Sequence, residues 1–293
     1  METVKNITQN TTSVIPQNSI KNMDWEGTTW KDRKFSHPER VITIGTTCSG
    51  IAAPEQALKQ LGLNYQILFA GDCDKNVKKS YFANYDIKEE QWHWDMRTFD
   101  ATSYKGKIGI FVSGICCIPF SKAGKLKGTD DELHGDLFKH FCRIARECEP
   151  NVWIIENVGN MLTSNKGADW KRIKTELDTL GYDVHYQVLN SNNYGTPQDR
   201  ERLFIIGFKD KSEFLFPVPI PQEKCIYDIL EDRTICIRPL TPRETLRIQG
   251  FEDDFKIEVP KSAAYKQAGN SIPVPLLKAI FQQMDITKYG IAI

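Results

Sequence analysis

Two adjacent thiols, Cys116 and Cys117, occur in the run Gly114-Ile115-Cys116-Cys117-Ile118-Pro119-Phe120-Ser121, directly after an apolar stretch at 108–112. A cysteine in a loop that leaves a buried strand sits where parallel-sheet proteins place their active sites. Its thiolate is a strong nucleophile, although a buried structural thiol is the commoner fate of this residue. Glu156-Asn157-Val158 follows a second apolar stretch, 152–155, so a carboxylate is expected at the same sheet edge. Gln198-Asp199-Arg200-Glu201-Arg202 precedes a third, 203–207. In extended chain Gln198, Arg200 and Arg202 share one face and present two guanidinium groups together. Upstream, Thr46-Thr47-Cys48-Ser49-Gly50-Ile51-Ala52-Ala53 makes a turn of small residues between a strand and a helix. Such a turn lets a nucleotide-like ligand approach the backbone and the helix N-terminus. Asp72 lies 22 residues beyond Gly50, after a second strand, where an acid can bond a ribose diol; Asp95, in His93-Trp94-Asp95-Met96, follows a third. Gly269-Asn270-Ser271 precedes the final helix and offers it a cap.

The elements that must position these residues alternate along the chain. Strands are expected at 41–46, 65–70, 108–112, 152–155, 184–189 and 203–207. Helices are expected at 54–61, closed by Gly62, at 75–84, and at 137–148, stopped by Pro150; a further one runs from Trp170 through Leu180 to Gly181. This order predicts an α/β fold, a doubly wound and mostly parallel sheet with right-handed crossovers. Gly124, Gly128 and Gly135 would let the stretch after the cysteines act as a lid. Residues 1–38, rich in Asn, Thr, Gln and Ser, are expected to form a mobile arm. Residues 39–207 form the main domain, 208–264 a small second lobe, and 265–293 a C-terminal helix returning to the main domain. Between 208 and 237 the βα pattern breaks at Pro217, Pro219 and Pro221, and 30 residues are too few for a core of their own. Short helices follow at 242–248 and 274–284.

Lysine plus arginine and aspartate plus glutamate each number 38 in 293 residues, so the net charge is zero. That balance argues against a nucleic-acid binder unless the basic residues gather on one face. None of the eight cysteines has C-x-x-C spacing, so no metal is expected. The first 22 residues contain no apolar signal core, and no 18-residue apolar run occurs anywhere, so an intracellular setting with reduced thiols is expected.

Taken in order, Cys117-x-Pro119-Phe120-Ser121, Glu156-Asn157-Val158, Gln198-x-Arg200-x-Arg202, Arg238-Pro-Leu-Thr-Pro-Arg-Glu244 with Gln249-Gly250-Phe251, and Gly269-Asn270-Ser271 resemble the motifs of the cytosine C5-specific DNA methyltransferases of bacterial and phage type. The resemblance covers about residues 41 to 284. It implies a Rossmann-like S-adenosylmethionine-dependent fold, double-stranded DNA as substrate, a flipped-out target base and a cytoplasmic setting in a bacterial or phage-infected cell. A restriction enzyme or a recognition partner would belong to the same system. By the same resemblance Cys117 is the nucleophile toward C6 of cytosine, Glu156 bonds the base, Arg202 orients Glu156, and Arg200 meets the base carbonyl or a phosphate. It assigns S-adenosylmethionine to Cys48, Ser49, Gly50, Ile51, Asp72, Cys73, Asp95, Met96, Gly114, Asn270 and Ser271. It assigns DNA to Ser121, Lys122, Lys125, Lys127 and Gln198.

The chain departs from the family pattern at Cys116 and Ile118, where proline and glutamine are usual, and at Cys48, Ala52 and Ala53 in the first turn. The target-recognition stretch between Gly207 and Arg238 is far shorter than is usual. The sequence is also compatible with a tRNA cytosine C5-methyltransferase and with a catalytically weak binding or regulatory relative.

Overall fold

A computed structural model describes residues 29–115, 136–222, 225–232 and 238–292. Cys116, Cys117, Ser121, Lys122, Lys125, Lys127 and the glycines of the expected lid lie outside the described residues. The strands are β1 (Ile42–Thr47), β2 (Tyr65–Gly71), β3 (Trp92–His93), β4 (Ile110–Ser113), β5 (Val152–Asn157), β6 (Asp183–Asn190) and β7 (Glu201–Phe208). The helices are α1 (Ala53–Gln60), α2 (Lys75–Asn84), α3 (Leu137–Cys148), α4 (Ala168–Asp178), α5 (Pro242–Ile248), α6 (Lys261–Asn270) and α7 (Val274–Gln283).

The strands form one sheet in the order β3-β2-β1-β4-β5-β7-β6, which is the mostly parallel, doubly wound arrangement expected. The expected parallel run stops at β7, which pairs antiparallel with both β5 and β6. The link between β6 and β7 holds only a 3-10 turn, Ser191–Tyr194, and is too short for a crossover, so the chain doubles back. That reversal brings the start of β7 to the edge where the parallel strands end.

Side chains alternate across the sheet, so each strand feeds two hydrophobic layers. Ile42, Ile44, Ile154, Phe204 and Ile206 join Ala57 and Leu58 of α1 and Leu276, Leu277 and Ile280 of α7 on one face. Trp153, Ile155, Leu203 and Ile205 join Phe141, Ile144 and Ala145 of α3 and Ile173 and Leu177 of α4 on the other. Cys142 and Cys148 are free thiols within that second layer. Gly207 stands opposite Trp153 in the β5–β7 ladder, and a Cβ there would enter the indole ring. Gly207→Ala is therefore expected to lower stability by about 1 to 3 kcal/mol, the usual cost of overpacking a filled core. Equilibrium denaturation measures it, and a loss below a few tenths would show that the ring has room to move.

Two buried titratable groups pull stability in opposite directions with pH. His93 on β3 stacks on Phe99 at 4.1 Å, and neither ring nitrogen has a hydrogen-bond partner in the structure. Burial lowers its pKa from 6.5 to about 4, only partly opposed by Asp95. Glu55 on α1 is fully buried, and burial raises its pKa from 4.5 to about 7 despite the Tyr81 hydroxyl bonded to it. Below pH 6.5 the unfolded chain gains a proton at His93 that the native chain refuses, so this group makes stability fall as pH drops toward 4. Above pH 4.5 the unfolded chain loses a proton at Glu55 that the native chain keeps, so this group makes stability fall as pH rises toward 7. Each swing amounts to about 3 kcal/mol, and between those limits the two largely cancel. Glu55→Gln should expose a stability that rises with pH, and His93→Phe one that falls; parallel profiles in urea titrations across pH would contradict both assignments.

The second lobe leans on the main core. Phe214, Ile220, Phe251 and Phe255 belong to the same cluster as Ile42 and Leu277. The Tyr194 hydroxyl donates to the Pro217 carbonyl at 2.7 Å, and the Ile220 amide to that of Asn193 at 2.9 Å. In the Arg238-to-Glu244 motif, the buried Glu244 carboxylate accepts from Arg238 at 2.7 Å and from the Thr241 amide at 2.7 Å, which closes a capping box on α5.

The sequence pattern does not predict α6. It follows Pro260 and carries Ala and polar residues rather than an apolar stripe. As a result Asn270 ends α6 and Ser271 is its C-cap, whereas α7 begins after Pro273; the Gly269-Asn270-Ser271 cap expected for α7 is not formed. The mobile arm expected through residue 38 also does not extend to 29–38. Trp30 is buried, the Gln282 side chain donates to the Lys31 and Arg33 carbonyls, and the Ser36 hydroxyl donates to Asp285 at 2.5 Å. Among the described residues, no helix is long and apolar enough to cross a membrane, and no group of three or more metal-ligating side chains occurs.

Candidate active site

The sheet edge at which β1, β4 and β5 end and β7 begins collects the polar residues of interest. Glu156 and Asn157 are the last two residues of β5, where the sequence had placed them just after the strand. Glu156 is 8% exposed, and burial pushes its carboxyl above the usual carboxylate range against the opposing charges of Arg202 and Arg200. Arg202 reaches it because β7 runs antiparallel alongside, with Nε 2.9 Å from Oε1 of Glu156.

The three side chains read as one face have different partners. Arg202 takes Glu156, Arg200 donates from Nη2 to the Ser271 carbonyl at 3.0 Å, and Gln198 Oε1 accepts from Gln249 Nε2 at 3.1 Å. The two guanidinium groups expected together both bring positive charge to Glu156, while each has its own hydrogen-bond partner. One orients a carboxylate, and the other ties the β7 entrance to the end of α6.

Asn157, to which the sequence gave no role of its own, donates from Nδ2 to the Ile115 carbonyl at 3.0 Å. This fixes the last described residue before the Cys116-Cys117 pair to the strand that carries Glu156. The signal was its position next to the glutamate at a strand end, where an amide can bond a neighbouring backbone.

A second group of residues forms a cradle beside β1. The turn after β1 places Cys48, Gly50 and Ala52 in the left-handed region, at φ 49°, 53° and 66°. Only glycine adopts this readily, so the turn is held from outside. Ser49 holds it to the end of β2, donating from its hydroxyl to the Gly71 carbonyl at 2.9 Å and accepting from the Gly71 amide at 2.8 Å. Asp72 accepts from the Gly50 amide at 3.2 Å and the Asp74 amide at 3.0 Å. Burial nevertheless raises its carboxyl.

A cavity opens against this turn, lined by residues 46–51 together with Gly114, Asn270, Ser271 and Ile272. A Cβ at Gly114 would come within 3.3 Å of the Cys48 carbonyl, so glycine keeps the cradle floor open. Cys48, Ser49, Gly50, Ile51, Gly114, Asn270 and Ser271 therefore come together. Asp72, Cys73, Asp95 and Met96 do not line the cavity itself. Asp72 adjoins it through Gly50, and Cys73 is exposed next to Asp72. Asp95 accepts from the Arg97 amide at 2.9 Å. The Met96 side chain is buried, its sulfur 3.8 Å from that of Cys48. Arg143 of α3, not singled out from the sequence, fixes this loop by donating to the Met96 and Phe99 carbonyls at 2.7 Å.

Backbone amides, a left-handed turn and a nearby acid suit an adenosyl group joined to an amino-acid tail, with Asp72 for the ribose hydroxyls and the turn for the tail. A buried carboxyl of raised pKa, held by a guanidinium, suits proton donation to a ring nitrogen.

Comparison with known proteins agrees. The family model described as C-5 cytosine-specific DNA methylase matches residues 42–235 and 231–285. Type II methyltransferase M.SsoII of Shigella sonnei is 30% identical over 290 residues, covering 75% of this chain and 74% of that protein. Type II methyltransferase M.NgoBI of Neisseria gonorrhoeae is 31% identical over 270 residues, covering 72% and 84%. Among solved structures, the S. pombe Dnmt2 methyltransferase superposes with a TM-score of 0.65 at 17% identity, over 83% of this chain and 98% of that one. The Entamoeba histolytica methyltransferase EhMeth gives 0.66 at 14% identity, over 85% and 98%.

Proposed function

The chain belongs to the C-5 cytosine-specific DNA methylase family, and from that premise we propose how its own residues carry out the transfer of a methyl group from S-adenosylmethionine to C5 of cytosine in DNA. The observation that supports the proposal best is the buried Glu156–Arg202 pair at the sheet edge, with Asn157 beside it tethering the chain that leads to Cys117.

S-adenosylmethionine, held by the Cys48–Ile51 turn, Gly114, Asn270, Ser271 and the Asp72 carboxylate, with Cys73, Asp95 and Met96 toward its adenine end, supplies an electrophilic methyl group. C5 of cytosine is a poor nucleophile in the intact ring. Attack of the Cys117 thiolate on C6 forms a carbon–sulfur bond and moves the ring electron pair toward C5 and N3. Glu156, protonated more readily than an ordinary carboxyl, gives its proton to N3 and accepts from the exocyclic amine, so negative charge never accumulates on the ring. Arg202 holds that carboxyl in place, and Arg200, whose charge also reaches Glu156, acts on the base carbonyl or an adjoining phosphate. C5 then takes up the methyl group. Loss of the C5 proton to solvent re-forms the C5–C6 double bond and expels the Cys117 thiolate, and the proton on N3 returns to the Glu156 carboxylate, which leaves neutral 5-methylcytosine and restores the acid. None of these atoms is reachable within a duplex, so the target base must leave the stack.

Ser121, Lys122, Lys125 and Lys127 are the phosphate contacts in this reading, and Gln198, braced by Gln249, faces the DNA. Residues 208–264 serve recognition while packing on the catalytic domain of 39–207, to which 265–293 returns. A restriction enzyme of the same specificity is the companion in this reading, supported by relatives named Type II methyltransferases, and the setting is the cytoplasm of a bacterial or phage-infected cell. The test is incubation with tritiated S-adenosylmethionine and mixed-sequence duplex DNA. Label in 5-methylcytosine is expected, and its absence despite bound cofactor would overturn the reading.

A further inference from the structure

α3 carries three charged side chains that the chemistry above does not use, Asp136 at its N-cap, Arg143 and Glu147. Spaced by seven and four residues, they fall on one face of the helix. All three reach the turn 95–101 that follows β3. Arg143 donates from Nη2 to the Met96 carbonyl at 2.7 Å and to that of Arg97 at 3.4 Å, and from Nη1 to the Phe99 carbonyl at 2.7 Å. The same Nη1 meets both carboxylate oxygens of Glu147, at 2.7 and 2.9 Å. Glu147 Oε2 also accepts from the Ala101 amide at 2.9 Å. Asp136 takes Nη2 of Arg97 at 3.4 Å. One helix face thus grips the turn at Met96, Arg97, Phe99 and Ala101.

This arrangement does not serve the helix. Arginine four residues before glutamate is the weaker order for such a pair, and Glu147 puts negative charge in the last turn of α3, where the macrodipole disfavours it. It serves the turn. β3 has only two residues, so the chain leaves the sheet after a short ladder, and no helix or strand covers residues 94–101. The Met96 and Phe99 carbonyls find their partner in Arg143 instead.

Two side chains on this turn point to what the grip is for. Asp95 accepts from the Arg97 amide at 2.9 Å and from Arg97 Nη1 at 3.4 Å, both on Oδ1; Oδ2 has no hydrogen-bond partner among the described residues. Met96 is buried with its sulfur 3.8 Å from that of Cys48, which lines the cavity. The geometry points to Arg143, backed by Glu147, as a positioning residue for the adenosine half of S-adenosylmethionine. By fixing the turn on which Asp95 and Met96 stand, it spares the cofactor the cost of ordering that turn, and so sets affinity rather than the rate of methyl transfer. The inference rests on reading Asp95 and Met96 as the adenine end of the cofactor site.

The test is equilibrium dialysis of tritiated S-adenosylmethionine with the full chain without DNA, alone and against unlabelled 5′-methylthioadenosine, which keeps the adenosine and lacks the amino-acid tail. Arg143→Gln should weaken both ligands by the same factor, roughly tenfold, as expected for loss of a charge-assisted hydrogen bond. Arg143→Lys, which can still donate to a carbonyl of the turn, should recover part of that loss. Single-turnover methyl transfer at saturating cofactor and DNA should stay within about twofold of wild type. Should Arg143→Gln fail to fold, Arg143→Lys and Glu147→Gln make the same comparison, each weakening both ligands by an equal, smaller factor. Wild-type affinity for both ligands, a loss confined to S-adenosylmethionine, or a rate that falls in step with affinity would each overturn the role of Arg143. A folded wild type that binds neither ligand would overturn the site assignment itself.

Discussion

Glu156→Gln lowers the turnover of cytosine methylation by about 10² to 10⁴-fold, the range spanned by removal of a general acid. The substitution keeps the shape of the side chain and an oxygen for Arg202, so the loss falls on proton donation to the base rather than on folding. Single-turnover methyl transfer at saturating DNA measures it. The affinity for S-adenosylmethionine should change little, because the carboxyl does not line the cofactor cavity. A variant that keeps wild-type turnover would remove Glu156 from the chemistry and leave its pairing with Arg202 a feature of the fold. An equal rise in the cofactor dissociation constant would instead indicate that the sheet edge had been disturbed as a whole.

Cys117→Ser abolishes turnover, because a serine hydroxyl is far less ionised than a thiol near neutral pH. Cys116→Ser retains turnover. The contrast matters in this chain because the two thiols are neighbours and the residues flanking Cys117 depart from the family pattern. Counting back from Phe120 selects Cys117, and the tether from Asn157 to Ile115 holds the chain entering this pair at the Glu156 strand. Tritium transfer from S-adenosylmethionine to DNA by the two single variants decides between them. Activity in Cys117→Ser together with its loss in Cys116→Ser would move the nucleophile by one residue.

The parts of the fold that were legible in the sequence are those encoded by local pattern. α2 is found at its expected ends because Asp74 caps it and an extended Tyr85 stops it. β5 is found because a strand buried on both faces is written as a continuous apolar run. The antiparallel turn of β7 was not legible, since direction depends on the length and course of the connection rather than on strand composition. α6 was missed because its buried residues are chiefly alanines, which leave no stripe to count.

The site divides in the same way. The order of motifs located Glu156, Arg202 and the cradle after β1, each set by a strand end. The partners of Arg200, Gln198 and Asn157 could not be read from the chain, because Ser271, Gln249 and Ile115 are distant in sequence and meet them only through the sheet topology. The balanced net charge, which seemed to count against nucleic acid, says little about a local cleft. Glu156 alone meets charge from both Arg202 and Arg200.

Covalent catalysis by Cys117 on a flipped cytosine passes through a carbon–sulfur bond to C6 that can be trapped. A duplex with 5-fluorocytosine at the target position cannot lose a proton from C5 after methylation, so the enzyme should remain bonded to C6. Incubation with S-adenosylmethionine, digestion and mass spectrometry are expected to return a peptide carrying the methylated fluorocytosine adduct on Cys117. Active enzyme that yields no adduct, or an adduct on Cys116, would contradict the assignment.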